Sequence, residues 1–156
     1  MIESSDIAIN PETGLAIVVI KPDAFKNKDL IIKKLEDSGL YIAKTISKRL
    51  PDNFVVGEMY KDLPHSIEEK TLEHFNEGPS EIILLEGGSD LLKKIEMVTG
   101  QSTNPNECNE ESIRYIFGEH IGEKTEDGKT YYRNAIHRAK NSGEQKHDLD
   151  AFENLL

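Results

Sequence analysis

The sequence predicts an α+β fold in which a small four-stranded antiparallel sheet has helices packed on it. Three observations predict it. Two unbroken apolar runs, Leu15-Ala16-Ile17-Val18-Val19-Ile20 and Ile82-Ile83-Leu84-Leu85, have the length and β-branched content of buried strands. Between and after them lie stretches whose apolar residues recur at helical spacing and end at Gly or Gly-Pro. A chain of 156 residues, 37% hydrophobic and 31% charged, is one ordinary domain's worth and can bury a core.

The elements follow in order. Leu15 to Ile20 is a strand buried on both faces, closed by the turn Lys21-Pro22-Asp23. Leu30, Ile31 and Leu35 then form one apolar stripe of a helix that Gly39 is placed to end. Tyr41 to Leu50 sets Ile42, Lys44, Ile46, Lys48 and Leu50 against Tyr41, Ala43, Thr45 and Ser47, the alternation of a half-buried strand. Ser66 and Glu69 have capping-box spacing for a helix that carries Leu72 and Phe75 and stops at Gly78-Pro79. Glu81 to Glu86 is the next strand, and Ser89 is placed to cap a short helix behind it. Tyr131 to His137 is the last strand, and Ser142 with Gln145 forms a second capping box for a terminal helix bearing Leu149 and Phe152. This order fits a ferredoxin-like split β-α-β sandwich, with the helices expected on one side of the sheet.

Composition narrows the function. A formal net charge of -10 repels a nucleic-acid backbone over most of the surface, so no specific nucleic-acid partner is expected. Any phosphate site must be a local pocket of positive charge. No apolar run approaches the roughly 20 residues that span a bilayer, which argues against a membrane partner. The acidic start Met1-Ile2-Glu3-Ser4-Ser5-Asp6 lacks the pattern of a secretory signal, and the single Cys108 has no partner for an internal disulfide. Both features suit a cytoplasmic protein. The chain has neither a Gly-rich loop followed by Lys and Ser/Thr nor a Cys/His cluster at zinc spacing, so P-loop and zinc-site readings lack support.

Four segments carry a resemblance. Ile17-Val18-Val19-Ile20 runs into Lys21-Pro22-Asp23; Gly78-Pro79 precedes Leu84-Leu85-Glu86-Gly87; Gly100-Gln101-Ser102-Thr103-Asn104-Pro105 leads to Ser112-Ile113-Arg114; and Arg133-Asn134-Ala135-Ile136-His137 follows. In this order they resemble the nucleoside diphosphate kinase family over roughly residues 15 to 152. The resemblance implies one kinase-like domain over 1–156, with an N-terminal extension at 1–13 and an inserted excursion at 118–131. Asp127-Gly128 in that insert is a hairpin-type turn signal, so an ordered excursion is expected.

The implied activity is transfer of the γ-phosphate from a nucleoside triphosphate to a nucleoside diphosphate, in ping-pong fashion, through a phosphorylated His137. A neutral imidazole suits that task, because one ring nitrogen is unprotonated near neutral pH. His65, His74, His120 and His147 lack the flanking motif and read as solvated or structurally satisfied. The resemblance implies phosphate or nucleotide contacts for Lys21, Tyr60, Thr103, Arg114 and Asn134, and places Asp148 where a glutamate orients the histidine. Each has a plainer reading: a strand-closing lysine, a core tyrosine, turn chemistry at Thr103-Asn104-Pro105, an exposed helix arginine, a strand-edge amide, and an acid in the first turns of a helix. Magnesium is implied as Mg2+ carried by the nucleotide, with no metal-binding residues in the protein. Members associate as tetramers or hexamers, so a homo-oligomer is expected.

The departures are specific. Arg138-Ala139-Lys140-Asn141 replaces the Gly-Ser-Asp-Ser usual after the histidine, which puts Ala139 where a hydroxyl would assist. Glu96 stands where an arginine commonly contacts phosphate, and either Lys93 or Lys94 takes over or one contact is missing. The aromatic segment that usually stacks on the base has no counterpart between Tyr60 and Leu72, which leaves Ile67 or a neighbour. A nucleotide-binding or regulatory module with weak or no transfer is therefore the alternative, and a non-catalytic interaction domain the third reading.

Overall fold

The structure is a computed structural model and describes residues 14–156. The extension expected at 1–13 lies outside the described residues. The sheet consists of β1 (Leu15–Ile20), β2 (Tyr41–Lys48), β3 (Ser80–Glu86) and the short β6 (Ile136–Arg138), in the order β2-β3-β1-β6. All of its pairings are antiparallel. The α-helices longer than one turn are α1 (Lys28–Asp37), α2 (His65–Phe75), α3 (Leu91–Thr99), α4 (Ile113–Phe117) and α5 (Ser142–Phe152). A 3-10 turn, Pro22–Asn27, connects β1 to α1, and a π-helical turn, Val55–Met59, precedes Tyr60. This is the α+β, ferredoxin-like arrangement read from the order of elements.

Helices cover both faces of the sheet, not one. Ala16, Val18 and Ile20 pack with Ile31 and Leu35 of α1, Leu91 and Ile95 of α3 and Ile113 of α4. Leu15, Ile17 and Val19 face the other way, onto Val55, Met59, Phe75, Leu149 and Phe152. Successive side chains of a strand point to opposite faces, so an unbroken apolar strand requires cover on both. Phe75 and Phe152 are fully buried, each worth about 1.5–3 kcal/mol of transfer free energy by the usual area scale. β2 is an outer strand with mostly exposed side chains and a register shift between Ile42 and Lys44. Gly39, at φ +95, closes α1 as expected.

Three caps and one strand differ from the sequence reading. The N-cap of α5 is Asn141, whose side chain accepts from the Glu144 N–H, while Glu144 accepts from the Lys140 N–H. The box is thus shifted by one residue, which frees Gln145 to donate to the Leu15 carbonyl. Pro64 precedes α2 without a side-chain cap, and Ser66 instead donates to Asp127 at 2.8 Å. Asp90, not Ser89, is the N-cap of α3. The strand expected over Tyr131 to His137 is split. Tyr131 belongs to a hairpin of β4 (Glu123–Lys124) and β5 (Thr130–Tyr131), and only Ile136 to Arg138 joins the main sheet. Ala135 breaks the run, with φ +76 and an Ile136 N–H to Asn134 carbonyl bond of 2.9 Å across it. That is a strained γ-turn. The segment read as an excursion carries this hairpin, with Gly128 at φ +84 in its turn. Among the described residues no helix is long and apolar enough to cross a membrane.

Candidate active site

The backbone around His137 is held from three sides. The Lys21 N–H donates to the Ala135 carbonyl at 2.8 Å, and the Ala135 N–H donates to Asp23 Oδ2 at 3.1 Å. Asp23 Oδ1 in turn accepts from His74 Nε2 at 2.8 Å, and His74 Nδ1 pairs with the Tyr131 hydroxyl at 2.7 Å. Burial holds the His74 pKa below its ordinary value, so the ring is neutral. A neutral ring assigns the roles: Nε2–H donates to Asp23 and Nδ1 accepts from Tyr131. This relay of hydrogen bonds ties the hairpin of β4 and β5 to the strained turn before His137.

His137 pairs with Val19 of β1 and shares that residue's face of the sheet, toward α5. There Nε2 lies 3.1 Å from Asp148 Oδ2, and both side chains are nearly buried. A carboxylate accepts only, so the ring proton sits on Nε2 and leaves Nδ1 with its lone pair. Nδ1 makes no hydrogen bond among the described residues. The Tyr60 ring stands edge-on to the imidazole, with centroids 5.2 Å apart. Its hydroxyl is buried without a hydrogen-bond partner among the described residues, and burial pushes its pKa well above the ordinary value. A neutral, unsatisfied phenol is costly by about 1–3 kcal/mol unless a ligand meets it.

His137 lines a cavity of about 700 Å³ together with Lys21, Tyr60, Thr103, Arg114, Asn134 and Asp148. All seven residues named from the sequence therefore meet at one place. Lys21, at the end of β1, donates from Nζ to Asn134 Oδ1 at 2.8 Å. Asn134 Nδ2 donates to the Thr103 carbonyl at 3.0 Å, which locks the amide's orientation. Burial, then the neighbouring Arg114 charge, lowers the Lys21 pKa to about 7. Ser112 caps α4 by accepting from the Tyr115 N–H and so fixes Arg114 in the first turn. Arg114 donates to the carbonyls of Ile136, Gly100 and Ser102, and burial with the nearby Arg138 lowers its pKa to about 10. Gly100 supplies its carbonyl at φ +121, where a Cβ would stand 2.7 Å from Cys108 Sγ.

The sequence profile described as nucleoside diphosphate kinase matches residues 15–154. The chain belongs to the nucleoside diphosphate kinase family. It is 34% identical over 116 residues to the nucleoside diphosphate kinase of Chelativorans sp. (strain BNC1), covering 70% of this chain and 79% of that one. It is 31% identical over 123 residues to the enzyme of that name from Chlamydia trachomatis serovar L2, covering 75% and 83% respectively. A crystal structure of the Aquifex aeolicus nucleoside diphosphate kinase superposes with a TM-score of 0.72 at 21% identity, over 89% of this chain and 94% of that one. Membership makes the protein a phosphotransferase.

Within this family member, the departures take on positions. Lys93 and Lys94 do not replace the arginine absent at Glu96. They line a separate cavity with Lys34, Asp37 and Asp90, away from His137. Ile67 does line the His137 cavity, and so do Thr130 and Tyr131 from the hairpin and Tyr132 from the loop that follows it. Arg138 also lines it, a residue the sequence reading noted only as a change. Asp23 was missed as well. The signal for it was available: an aspartate directly after a buried strand and Pro22 faces a turn whose N–H groups need an acceptor.

Proposed function

We propose that this chain transfers the γ-phosphate of a nucleoside triphosphate to a nucleoside diphosphate through phospho-His137, in two half-reactions. The observation that carries the proposal is the pairing of His137 Nε2 with Asp148, which leaves Nδ1 unprotonated in a cavity lined by cations. In the first half-reaction the Nδ1 lone pair attacks the γ-phosphorus. The bond from phosphorus to the bridging oxygen breaks, and the diphosphate departs with that electron pair. In the second, an oxygen of the acceptor's terminal phosphate attacks the phosphorus and the nitrogen recovers its pair. The Nε2 proton stays with the ring throughout, and Asp148 offsets the positive charge that develops on the imidazole.

Lys21, Arg114 and the Thr103 hydroxyl hold the polyphosphate, and the orphan Tyr60 hydroxyl gains a partner when the site fills. Mg2+ enters on the nucleotide and spreads the charge of the phosphate oxygens. The residues fit this arrangement, since of the three lining carboxylates Asp148 is committed to His137 and Glu144 to the Lys140 N–H, which leaves Glu58 against Lys21, Arg114, Arg138, Lys61 and Lys140. Ala139 offers no hydroxyl to assist the transfer.

The pairing with Asp148 has a direct test. Asp148→Ala should slow phosphoenzyme formation by roughly ten- to a hundredfold, the cost typical of losing a partner that orients a histidine. Asp148→Glu should restore most of it. Rapid-quench measurement of labelled phosphate on the protein gives both rates, and an Asp148→Ala rate equal to wild type would remove the orienting role.

The same reading includes self-association as a tetramer or hexamer. Its support is the open edge of β2, where Tyr41 is 64% exposed. Light scattering that finds only monomer at micromolar concentration rejects it.

A further inference from the structure

Arg138 follows the nucleophile on β6 and points to the opposite face, since it pairs with Val18 where His137 pairs with Val19. There its Nε donates to Thr99 Oγ1 at 3.2 Å and its Nη2 to the Gly100 carbonyl at 2.8 Å, at the C-terminal end of α3. Arg114 Nη1 reaches that same carbonyl at 3.4 Å, so two guanidinium groups lie side by side. β6 is an outer strand of the sheet, opposite β2, and both His137 and Arg138 border the one cavity. Both arginines are nearly buried, at 6% and 8% exposure. Neither joins a salt bridge among the described residues, and neither does Lys21. Buried like charges without a carboxylate repel one another and call for an anion.

The two arginines differ in what they have left to give. A guanidinium carries five N–H donors. Arg114 makes four hydrogen bonds, all to backbone carbonyls, which hold the loop Gly100–Ser102 against β6 and leave it one Nη2 N–H for a ligand. Arg138 makes two, and neither involves Nη1. Glu96 and Glu144 act on it only through their fields. We infer that Arg138 grips the phosphoryl oxygens of the bound nucleotide through its free Nη1 edge, so that the strand bearing the nucleophile also carries the principal phosphate clamp. The inference rests on the function proposed above and extends it. It supplies, from β6, the guanidinium that Glu96 denies to α3.

Calorimetric titration of the full chain with pyrophosphate, ADP and adenosine tests it, alongside the melting temperature without ligand. Arg138→Gln should weaken pyrophosphate and ADP about 10- to 100-fold, as expected for charge-assisted contacts to phosphate, and leave adenosine within twofold. Arg138→Lys should recover part of the loss, because it keeps the charge without the fork. Removing one of two repelling buried charges should leave the unliganded melting temperature unchanged or higher. Lys33→Gln, which neutralises an exposed lysine paired with Asp37, controls for overall charge. ADP and pyrophosphate binding within twofold of wild type in Arg138→Gln would overturn the assignment. So would a lowered melting temperature with equal losses for adenosine and ADP, the pattern of a purely structural arginine. A wild type that binds pyrophosphate but not ADP would overturn the nucleotide reading and leave Arg138 to be judged on the pyrophosphate arm.

Discussion

His137→Ala should abolish phosphoenzyme formation and nucleotide exchange together, while ADP still binds within a few-fold of wild type. The separation follows from the geometry. In the proposed mechanism the imidazole would supply the attacking Nδ1, whereas the cations proposed to hold the phosphates, Lys21, Arg114 and Arg138, line the same cavity from the end of β1, α4 and β6 and do not bond to the ring. Of the other histidines only His147 lines the same cavity, and it lacks a carboxylate partner among the described residues. His74 is buried in its bonds to Asp23 and Tyr131, His120 is held by Asn106 and the Tyr115 carbonyl, and His147 Nε2 meets the Glu58 carbonyl. His65 is exposed beside Glu69, away from the cavity. Loss of a covalent nucleophile commonly removes several orders of magnitude in kcat, on the order of 10⁴ or more. Intact-mass measurement after brief exposure to Mg-ATP should show one added phosphoryl group on wild type and none on the variant. The label should be acid-labile and alkali-stable, as a phosphoramidate is and a phosphoserine is not. His147→Ala should behave as wild type. Full exchange activity in His137→Ala would defeat the mechanism while leaving the fold untouched.

The seven residues that meet at the cavity were named through the resemblance, since in local pattern each has a plainer reading. Local pattern did place some of them: Lys21 follows an unbroken apolar strand, Arg114 lies in the first turn after the N-cap Ser112, and Asp148 lies near the second turn of the terminal helix. The errors lie where two local choices are nearly equal or where distant contacts decide. Asn141 and Ser142 are both good caps with an acceptor three residues on, and the interior need of the Leu15 carbonyl for Gln145 tips the choice. Ser66 has a helix N-terminus nearby and an aspartate of the insert in reach, and takes the aspartate. The break before β6 had no local signal, since alanine does not advertise a positive φ. Arg138 was hidden for a different reason. Period-two alternation sends it away from the face of His137, and only the outer position of β6 lets both faces border one cavity.

Lys21→Met should make the unliganded protein more stable at neutral pH and nearly inactive. Both effects come from one buried ammonium. Burial and the Arg114 charge lower its pKa from 10.5 to about 7, so the folded state binds fewer protons than the unfolded state between those two values. Stability therefore rises with pH across that window and is poorest below pH 7, where the amine is charged in both states. The penalty at low pH is on the order of 3–5 kcal/mol by linkage, partly offset by the bond to Asn134. Methionine fills the same space without the charge and should recover about 1–3 kcal/mol at pH 6–7, a gain that fades as pH approaches 10.5. Taking the difference between the two proteins in urea midpoint at each pH cancels the other titrating groups. In the filled site the polyphosphate supplies the missing counter-charge, so ADP binding near pH 8 should draw a proton onto Lys21. Titration in buffers of different ionisation enthalpy should register that uptake in wild type and lose it in Lys21→Met. The variant should also lose roughly 10²–10³ in kcat, the usual cost of removing a charge aimed at a developing oxyanion. If the stability difference stays constant from pH 7 to 10.5, Lys21 is not the buried, half-neutral amine described here, and its role as the phosphate's reserve of charge falls with it.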